Sequence, residues 1–483
     1  MIALTAAEIA EAVSGEVHGI EDPTSITVTN ADTDSRNIAI GSLFIAKPGE
    51  HTDGHRFIGA ARSAGAALVL AERPTTDPSG EPNPAVIVDD VVTAMGALAS
   101  EIVARIRAHS PTTVIGITGS AGKTTTKDLL AALLAPQGPT VAPQGSYNGE
   151  VGVPLTIFGA ALDTRYLIIE MGADAPGNIR ELCEMVTPDI GAVLMVGSSH
   201  AEKFGGQHTI AQTKGELAEA IPAQGHVLLN SEDPQVAAMA SRATAPVTHF
   251  GQGEPGPDQV VAADLLLDDD GHPVFTLRIA GEEHRITSGL TGAHHITNLL
   301  AAASAAWRAG VTPAAIAERL EGVGPTSRWR MERTERPDGV TIINDAYNAS
   351  PESMREALRT LATITRGSGP GTPRSSRRSV AVLGGMLELG AESTMAHHRV
   401  GETVVRLNIG LTLVVGHEAY ALYRGAIAEG SWGSEVQWVE TVQEAQAWLA
   451  TALLPGDVVL FKSSNAAGLR LLGDKIAAQE GIE

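Results

Sequence analysis

The chain is poor in cysteine and in basic charge. Cys183 is the one cysteine among 483 residues, which excludes an intrachain disulfide and is typical of proteins in a reducing compartment. Lysine and arginine number 34 against 56 acidic residues, so the net charge is −22. Because nucleic-acid binding requires clustered basic side chains, we expect no nucleic-acid partner.

Signals for export and for membrane insertion are also lacking. No lysine or arginine precedes Arg36, so the start does not have the basic region of a secretory signal. No uninterrupted apolar run approaches the ~18 residues that a membrane-spanning helix needs. We therefore expect a cytoplasmic protein that is not embedded in a membrane.

Apolar runs and helical patterns alternate in two parts of the chain. The runs TTVIGIT, YLIIEM, DIGAVLMV and GHVLLN form one series, and VTIIND, SVAVLGG, LTLVVG and GDVVLFK form a second. Such alternation predicts parallel sheets covered by helices. A smaller mixed segment precedes both and begins with Thr5 and Glu8 at capping-box spacing. The predicted fold class is α/β with three domains: a small α/β domain at 1–108, a central P-loop ATPase-like parallel-sheet domain at 109–323 and a Rossmann-like domain at 324–483.

The stretch GITGSAGKTTTK resembles a phosphate-binding loop with one departure. The common form G-x-x-x-x-G-K-[ST] requires a glycine where this chain has Ile117. A predicted strand precedes the loop and a predicted helix follows it, as phosphate binding requires. Lys123 would neutralise the β- and γ-phosphates, and the Thr124 hydroxyl would reach Mg²⁺. Since no Asn-Lys pair typical of GTPases occurs, we predict ATP, bound by Gly119, Ser120, Ala121, Gly122, Lys123, Thr124 and Thr125.

Three further polar residues follow predicted strands or begin a predicted helix. Glu170 ends the strand YLIIEM, His200 follows the next strand, and we expect Lys214 near a helix start. Each of them by itself also fits an ordinary surface residue. Together they indicate a metal-assisted transfer site, because oxygen ligands suit Mg²⁺. Glu170 and Thr124 could hold one ion, and His200 is a possible ligand of a second.

Several ordered motifs resemble the Mur ligase family over nearly the whole chain. They are TDSR, GSLFIAKPGEHTDGHRF, TGSAGKTT, YNGEVGVPLT, IIEMGADAPGNI, TGAHHITNLLAAASA, RWRME, INDAYNASPESM and LGGMLELGAESTMAHHRVG. The run DAYNASPESM is similar to the branch that adds D-alanyl-D-alanine. The chain departs from the family's usual residues at Gly149, His295, Gly385 and Asn465.

The resemblance implies a role for each domain and for further residues. The N-terminal domain would hold the UDP end of the substrate through Ser35 and Arg36. The central domain would bind ATP, and the C-terminal domain would close over ATP and the incoming dipeptide. Further ATP contacts fall on Asn298, Arg330 and Asp345, and further substrate contacts on Asn148, Tyr347 and Asn348. Lys214 falls on a lysine that the family carries as a carbamate, a ligand of the second Mg²⁺.

By the same resemblance, the activity is ATP-dependent amide ligation. The partners are UDP-MurNAc-tripeptide and D-Ala-D-Ala, and the intermediate is an acyl phosphate. Apart from the resemblance, we expect a monomer. Lys123, His200 and Lys214 are the predicted catalytic residues. His200 is a candidate base for the amine if it does not bind metal. Two alternatives stay open: another ligase of the superfamily, of the third-residue-adding or folylpolyglutamate type, and a P-loop ATPase without ligase activity.

Overall fold

The computed structural model describes residues 1–49, 52–197, 204–254, 256, 258–366, 377–431 and 433–478. Within these ranges the strands form four sheets, and helices cover the larger ones. The α-helices of the described ranges are Ala6–Ala12, Ile58–Ala64, Val91–His109, Lys123–Leu134, Gly152–Phe158, Asn178–Val186, Gln207–Ala220, Pro234–Ala237, His295–Arg308, Pro313–Leu320, Pro351–Arg366, Ser393–Arg406, Tyr420–Ala428, Val442–Ala452 and Leu469–Ala477.

The N-terminal part contains two of the sheets. Strands β1 and β3 form an antiparallel pair, and a five-stranded sheet has the order β2-β7-β6-β5-β4, parallel except at the β2–β7 edge. The predicted capping box is confirmed, because Thr5 Oγ1 accepts from the Glu8 backbone and Glu8 Oε2 accepts from the Thr5 backbone. The strands are β1 Leu4–Thr5, β2 Glu16–His18, β3 Thr27–Val28, β4 Asn30–Asp32, β5 Ser42–Ile45, β6 Leu68–Ala71 and β7 Ala85–Ile87.

The central part is organised by a nine-stranded sheet of order β16-β15-β14-β13-β12-β11-β8-β10-β9. Its strands are β8 Thr113–Thr118, β9 Thr140–Val141, β10 Tyr166–Glu170, β11 Ile190–Val193, β12 His226–Asn230, β13 Val247–Gln252, β14 Gln259–Leu267, β15 Pro273–Ile279 and β16 Glu282–Thr287. All four strands predicted here from apolar runs, β8, β10, β11 and β12, are confirmed. The strand order reverses at β8, which is where open α/β sheets bind ligands.

The central sheet differs from the prediction at one edge. β14, β15 and β16 pair antiparallel and extend an otherwise parallel sheet. β15 alternates buried and half-buried residues, as expected of a strand with one face on the core, so it lacks the continuous apolar run that identified the other strands.

The C-terminal part contains a six-stranded sheet of order β17-β18-β22-β19-β20-β21, parallel except for the β17–β18 pair. The four predicted strands β18, β19, β20 and β22 are confirmed. The strands are β17 Glu332–Glu335, β18 Thr341–Asn344, β19 Ser379–Leu383, β20 Leu411–Val415, β21 Val436–Val439 and β22 Val458–Lys462.

Buried leucines attach the helix Lys123–Leu134 to the central sheet. As predicted, Leu129, Leu130, Leu133 and Leu134 lie on its buried side, in one apolar cluster with β8 and β10 side chains. The α/β class with three domains is confirmed, whereas the boundaries near 108 and 323 stay predictions. Among the described residues, no helix combines the length and the apolar character that crossing a membrane requires.

Candidate active site

A cavity of about 1250 Å³ lies between the carboxyl end of the central sheet and the C-terminal part. Ligand pockets usually measure about 300–1000 Å³, so this one has room for a nucleotide and part of a second substrate. Register places the ends of three strands at its floor: Glu170 of β10 pairs with Ile117 of β8, and Val193 of β11 pairs with Thr118. The loop Gly119–Gly122 follows β8 into the cavity.

The loop turns directly into the helix Lys123–Leu134. Gly122 adopts a left-handed φ of +85° at the helix N-terminus, a conformation that favours glycine. Lys123 Nζ donates to the Gly119 carbonyl over 2.8 Å, which folds the side chain back over the loop. Ser120, Ala121 and Thr125 also line the cavity. The backbone N–H groups of a helix start therefore lie beside a lysine, the arrangement that binds phosphate.

The two loop glycines also permit close packing. A Cβ on Gly119 would lie 2.9 Å from Leu194 Cβ, and one on Gly122 would lie 2.2 Å from Asn298 Oδ1. Side chains at these positions would push the loop away from β11 and from the helix His295–Arg308. The missing glycine at the Ile117 position has a structural reason, since Ile117 is a fully buried strand residue.

Thr124, Glu170 and Asn148 form a connected polar group on the cavity floor. Thr124 Oγ1 donates to Glu170 Oε2 over 3.0 Å, and Asn148 Nδ2 donates to Glu170 Oε1 over 2.8 Å. Ser146 Oγ lies 2.8 Å from Thr124 Oγ1 and 3.4 Å from Glu170 Oε1. Glu170 is buried at 1% exposure, so these hydrogen bonds compensate the cost of burying its carboxylate.

Lys214 is buried and lines the same cavity. The prediction that Lys214 lies near a helix start is wrong, because Lys214 lies in the middle of the helix Gln207–Ala220, among buried residues. Burial lowers the pKa of Lys214 to about 7, and the charge of Lys123 adds to the shift. Burial also lowers the pKa of Lys123, which Arg330 reinforces and Glu170 opposes. The lowered pKa favours the uncharged amine form of Lys214.

His200 lies outside the described residues, and so its predicted role has no geometry here. Within the described ranges, no three side chains of the His, Cys, Asp and Glu types cluster as a metal site. The pair Thr124 and Glu170 does offer two adjacent oxygen ligands. Such a small set suits Mg²⁺, which usually keeps waters and substrate oxygens in its shell.

Arg330 brings a cation from the C-terminal part to the phosphate loop. Its Nη2 lies 3.5 Å from both Thr124 Oγ1 and Ser146 Oγ. The guanidinium stacks 4.3 Å above the Tyr347 ring, and Tyr347 in turn stacks on Trp329 at 6.5 Å between centroids. The aromatic pair therefore orients Arg330 toward the loop.

Asp345 is held by an ion pair that the sequence reading did not include. Lys462 Nζ, 2% exposed at the end of β22, donates to Asp345 Oδ2 over 2.5 Å and to the Asn348 carbonyl over 3.1 Å. The Met331 backbone donates to Asp345 Oδ1. These bonds fix Asp345 and the segment containing Tyr347 and Asn348 at the cavity wall.

Asn298 joins the phosphate-loop helix to the helix His295–Arg308. Its Oδ1 accepts from Thr126 Oγ1 over 3.3 Å, and its Nδ2 lies 3.2 Å from His295 Nδ1. Burial lowers the pKa of His295 well below its ordinary value, and His294 adds to the shift, so the ring is neutral near neutral pH.

Ser35 and Arg36 lie in a 3₁₀ helix of the N-terminal part and do not line the cavity described above. Arg36 forms an exposed ion pair with Asp34, which accepts at 2.6 Å from Nη2. In the described ranges, the structure brings the predicted ATP and metal residues together with the predicted substrate contacts Asn148, Tyr347 and Asn348. It keeps the predicted UDP contacts Ser35 and Arg36 apart from them. The chemical roles of all these residues stay predictions.

Lys462 and Ser146 are cavity residues that sequence reasoning missed. A signal existed for Lys462, because it ends an apolar strand at the ligand edge of a parallel sheet, as Glu170 does. Ser146 lies in an irregular segment and carried no such signal.

Comparison with sequence families agrees with this geometry. The Mur ligase middle domain matches residues 117–306, the glutamate ligase domain of Mur ligases matches 329–465, and the Mur ligase family catalytic domain matches 27–103. The chain belongs to the Mur ligase family.

Its relatives include ligases of one named type. The UDP-N-acetylmuramoyl-tripeptide--D-alanyl-D-alanine ligase of Mycobacterium tuberculosis H37Rv is 43% identical over 99% of both chains, and that of Bacillus subtilis is 31% identical over 98% and 97%. Among solved structures, MurF from Acinetobacter baumannii superposes with a TM-score of 0.85 at 26% identity over 99% of both chains. MurF from Thermotoga maritima in complex with ADP has a TM-score of 0.75 at 28% identity, over 92% of this chain and 96% of the other.

Proposed function

We propose that this Mur ligase joins D-Ala-D-Ala to the tripeptide of UDP-MurNAc-tripeptide at the expense of ATP. The observation that carries the proposal is the single cavity that unites a phosphate loop, a buried hydroxyl–carboxylate pair and a buried lysine of lowered pKa. Similarity to ligases of this name over nearly the full chain supports the choice of substrates.

The chemistry follows from what an amide bond requires. A carboxylate is a poor electrophile, since attack by an amine would have to expel oxide. Transfer of the γ-phosphate to the terminal carboxylate of the tripeptide produces an acyl phosphate with a good leaving group. The amine of D-Ala-D-Ala attacks this carbonyl, and the intermediate collapses to the amide and inorganic phosphate. Lys123, the loop N–H groups and Arg330 would stabilise the charge on the transferred phosphate.

Mg²⁺ would be held by Thr124 and Glu170, whose oxygens already lie 3.0 Å apart. When bound, the ion neutralises phosphate charge. We propose that Lys214 carries a carbamate and serves a second ion together with His200. Carbamate formation needs an uncharged amine, and the lowered pKa of Lys214 supplies one.

The rest of the substrate would extend away from the cavity toward the N-terminal part. We propose that Ser35 and Arg36 contact the UDP moiety and that Asn148, Tyr347 and Asn348 contact the peptide. The domain limits 1–108, 109–323 and 324–483 belong to the same proposal. A cytoplasmic location and a monomeric state are supported by sequence reasoning alone and stay predictions.

The test is a phosphate-release assay with ATP, Mg²⁺, UDP-MurNAc-tripeptide and D-Ala-D-Ala. We expect sustained release when both acceptors are present, together with the pentapeptide product by mass spectrometry. Equal release without D-Ala-D-Ala, or with neither acceptor, would identify an ATPase instead. Replacing UDP-MurNAc-tripeptide by the dipeptide precursor, or D-Ala-D-Ala by a third-position amino acid, separates this ligase from others in the superfamily.

A further inference from the structure

Lys127 is a buried lysine that the proposed chemistry does not use. It ends the stretch GITGSAGKTTTK and lies about one turn after Thr124 on the helix Lys123–Leu134. Lys127 is 3% exposed, and it does not line the cavity. Taking an ammonium group out of water is costly, so the partners of Lys127 indicate what its burial achieves.

Lys127 has one charged partner and one backbone partner. Its Nζ forms an ion pair with Asp128 Oδ1 and donates to the Pro143 carbonyl over 3.0 Å. Replacing a buried ion pair by apolar side chains is often neutral or stabilising, so the pair with Asp128 does not by itself explain a lysine at this position. The bond to Pro143 differs, because it joins the helix to an irregular segment elsewhere in the chain.

Residues 143–148 form this segment, which lies between β9 and the helix Gly152–Phe158 and contains neither strand nor helix. Gln144, Gly145 and Tyr147 are exposed, so apolar packing does little to hold the segment in place. Exposed segments without regular structure open easily, and their position depends on a few hydrogen bonds.

The segment contacts the phosphate-loop helix at two points. Lys127 Nζ bonds the Pro143 carbonyl, and nearer the loop Thr124 Oγ1 lies 2.8 Å from Ser146 Oγ. The two contacts are three residues apart on the segment and three residues apart on the helix, in the opposite order. The segment therefore runs antiparallel to the first turns of the helix, and Lys127 fixes its start.

The other end of the segment is joined to β10. The Asn148 carbonyl accepts from the Gly172 backbone over 2.7 Å, and Asn148 Nδ2 donates to Glu170 Oε1 over 2.8 Å. Ser146 Oγ lies 3.4 Å from the same Glu170 oxygen. Lys127 therefore holds one end of a segment whose other residues bond both of the oxygen ligands that we propose for Mg²⁺.

We propose that Lys127 is a positioning residue of the magnesium site. From outside the cavity it fixes the Pro143 carbonyl, and thereby the segment that orients the Thr124 hydroxyl and the Glu170 carboxylate. The proposal rests on the proposed function, in which Thr124 and Glu170 hold Mg²⁺. Removing a group that orients metal ligands typically lowers metal affinity by about 10- to 100-fold.

Lys123 and Lys127 lie on the same helix but have different partners. Lys123 Nζ donates to the Gly119 carbonyl and lines the cavity, whereas Lys127 bonds the segment and does not line it. Loss of Lys123 should therefore weaken nucleotide binding directly. Loss of Lys127 should weaken only the contribution that the metal makes to nucleotide binding.

Calorimetric titration with ADP, in the presence of Mg²⁺ and in EDTA, tests this assignment without the ligation reaction. The full chain carries Lys127→Met/Asp128→Asn, which removes both charges of the buried pair and so leaves no unpaired carboxylate. Mg²⁺ should strengthen ADP binding to the wild-type protein. In the double variant this strengthening should fall by about tenfold or more, while ADP affinity in EDTA stays within about twofold of wild type.

Asp128→Asn alone is the matched control. It alters the ion pair but keeps the bond from Lys127 to the Pro143 carbonyl, so the effect of Mg²⁺ on ADP binding should stay near the wild-type value. Lys123→Met should weaken ADP binding both with and without the metal. Thermal melting identifies a variant that is merely unfolded. If the double variant does not fold, Lys127→Gln replaces it, because its amide ends one bond short of the ammonium position.

A double-mutant cycle tests the route through the segment. Ser146→Ala leaves the buried pair in place and should itself reduce the effect of Mg²⁺ on ADP binding. Combined with Lys127→Met/Asp128→Asn, it should cost less than the product of the two separate losses, because both changes act on one segment. Losses that simply multiply contradict this route.

The outcomes separate this inference from the proposed function. The role of Lys127 is overturned by an undiminished effect of Mg²⁺ in the double variant, by an equal loss of ADP affinity in EDTA, or by the same loss in Asp128→Asn alone. A wild-type protein whose ADP binding does not respond to Mg²⁺ contradicts the metal site of the proposed function itself.

Discussion

The two walls of the cavity are held together by different kinds of interaction. On the central wall, backbone geometry positions the groups: Gly119 and Gly122 pack against neighbouring elements, and Lys123 bonds the loop carbonyl. On the C-terminal wall, charge pairs and stacked rings position them, as between Asp345 and Lys462 and between Arg330 and Tyr347. Distant side chains also meet on the central wall, as Thr124 and Glu170 do, but the phosphate loop there is shaped by its own backbone, whereas the C-terminal wall has no such loop among the described residues.

This difference has a consequence for catalysis. A wall fixed by backbone suits the phosphate groups, whose transition-state charge needs donors already in position. A wall fixed by side-chain pairs adapts more easily, which suits the part that must admit one substrate and release another. Arg330 lies 3.5 Å from the Thr124 hydroxyl, at the long limit of a hydrogen bond, so the two walls touch without a tight bond there. Substitutions in the central wall should therefore lower activity strongly, and substitutions in the C-terminal wall should lower it moderately.

The largest effect is expected for Lys123→Met on the central wall. Removing the cation that lies over the loop should lower kcat by about 10²- to 10³-fold, as loss of one transition-state donor does. The melting temperature should change little, because the replacement keeps most of the side-chain volume. Stopped assays of phosphate release and of the pentapeptide measure the loss. Activity within about tenfold of wild type would mean that the loop amides carry the phosphate without the lysine.

Lys214→Ala should lower kcat nearly as strongly as Lys123→Met, but small carboxylates added to the assay should partly restore it. If Lys214 acts as a carbamate, the variant loses an anionic oxygen ligand, and kcat should fall by about 10²-fold or more. Added formate or acetate should restore part of the activity, because a small carboxylate fits the space left by the side chain. Lys123→Met is the control, since the same salts should not rescue it. A variant with near-normal activity would remove the carbamate from the mechanism.

Tyr347→Leu should have an intermediate effect on the C-terminal wall. Without the ring beneath it, Arg330 loses a cation–π contact of about 0.5–2 kcal/mol, which corresponds to roughly 2- to 30-fold in kcat/KM for ATP. Tyr347→Phe keeps the ring face and should behave as wild type. If both variants lose activity equally, the Tyr347 hydroxyl matters and the stacking explanation is wrong.

The smallest effect is expected where the two parts meet at the surface. Arg333 Nη2 and Asp270 Oδ1 form an ion pair at 2.7 Å, and Asp270 is 55% exposed. Asp270→Asn should cost less than about 1 kcal/mol of folding free energy and leave activity within about twofold. High salt should erase the remaining difference from wild type in melting experiments. An activity loss above about tenfold would show that this pair holds the walls in their working arrangement.

Much of the central wall could be predicted because its signals are local. Apolar runs identified β8, β10, β11 and β12, and the loop with its following helix was predicted from adjacent residues. The middle-helix position of Lys214 was missed, since the helix Gln207–Ala220 begins without a side-chain cap that would mark its start. The antiparallel strand β15 was missed because its pattern of alternating burial does not stand out as an apolar run.

Less of the C-terminal wall could be predicted from the sequence. Arg330 and Asp345 were assigned through family resemblance, whereas Lys462 was not assigned at all. Its partner Asp345 lies 117 residues away in sequence, and the contact follows from β18 and β22 pairing side by side. The order of strands in a sheet depends on how whole helices and strands pack together. A local stretch of sequence does not contain this information.

By itself, the sequence determined the chain's helices and strands where they are strongly patterned, and it determined the phosphate loop. These features depend on side-chain periodicity and on backbone conformations of neighbouring residues. Tertiary structure decided which polar groups face one another: Arg330 reaches the Thr124 hydroxyl across 206 residues, and Lys462 reaches Asp345 across 117. These contacts form because the burial of apolar faces packs sheets and helices together, so that their polar edges line one cavity.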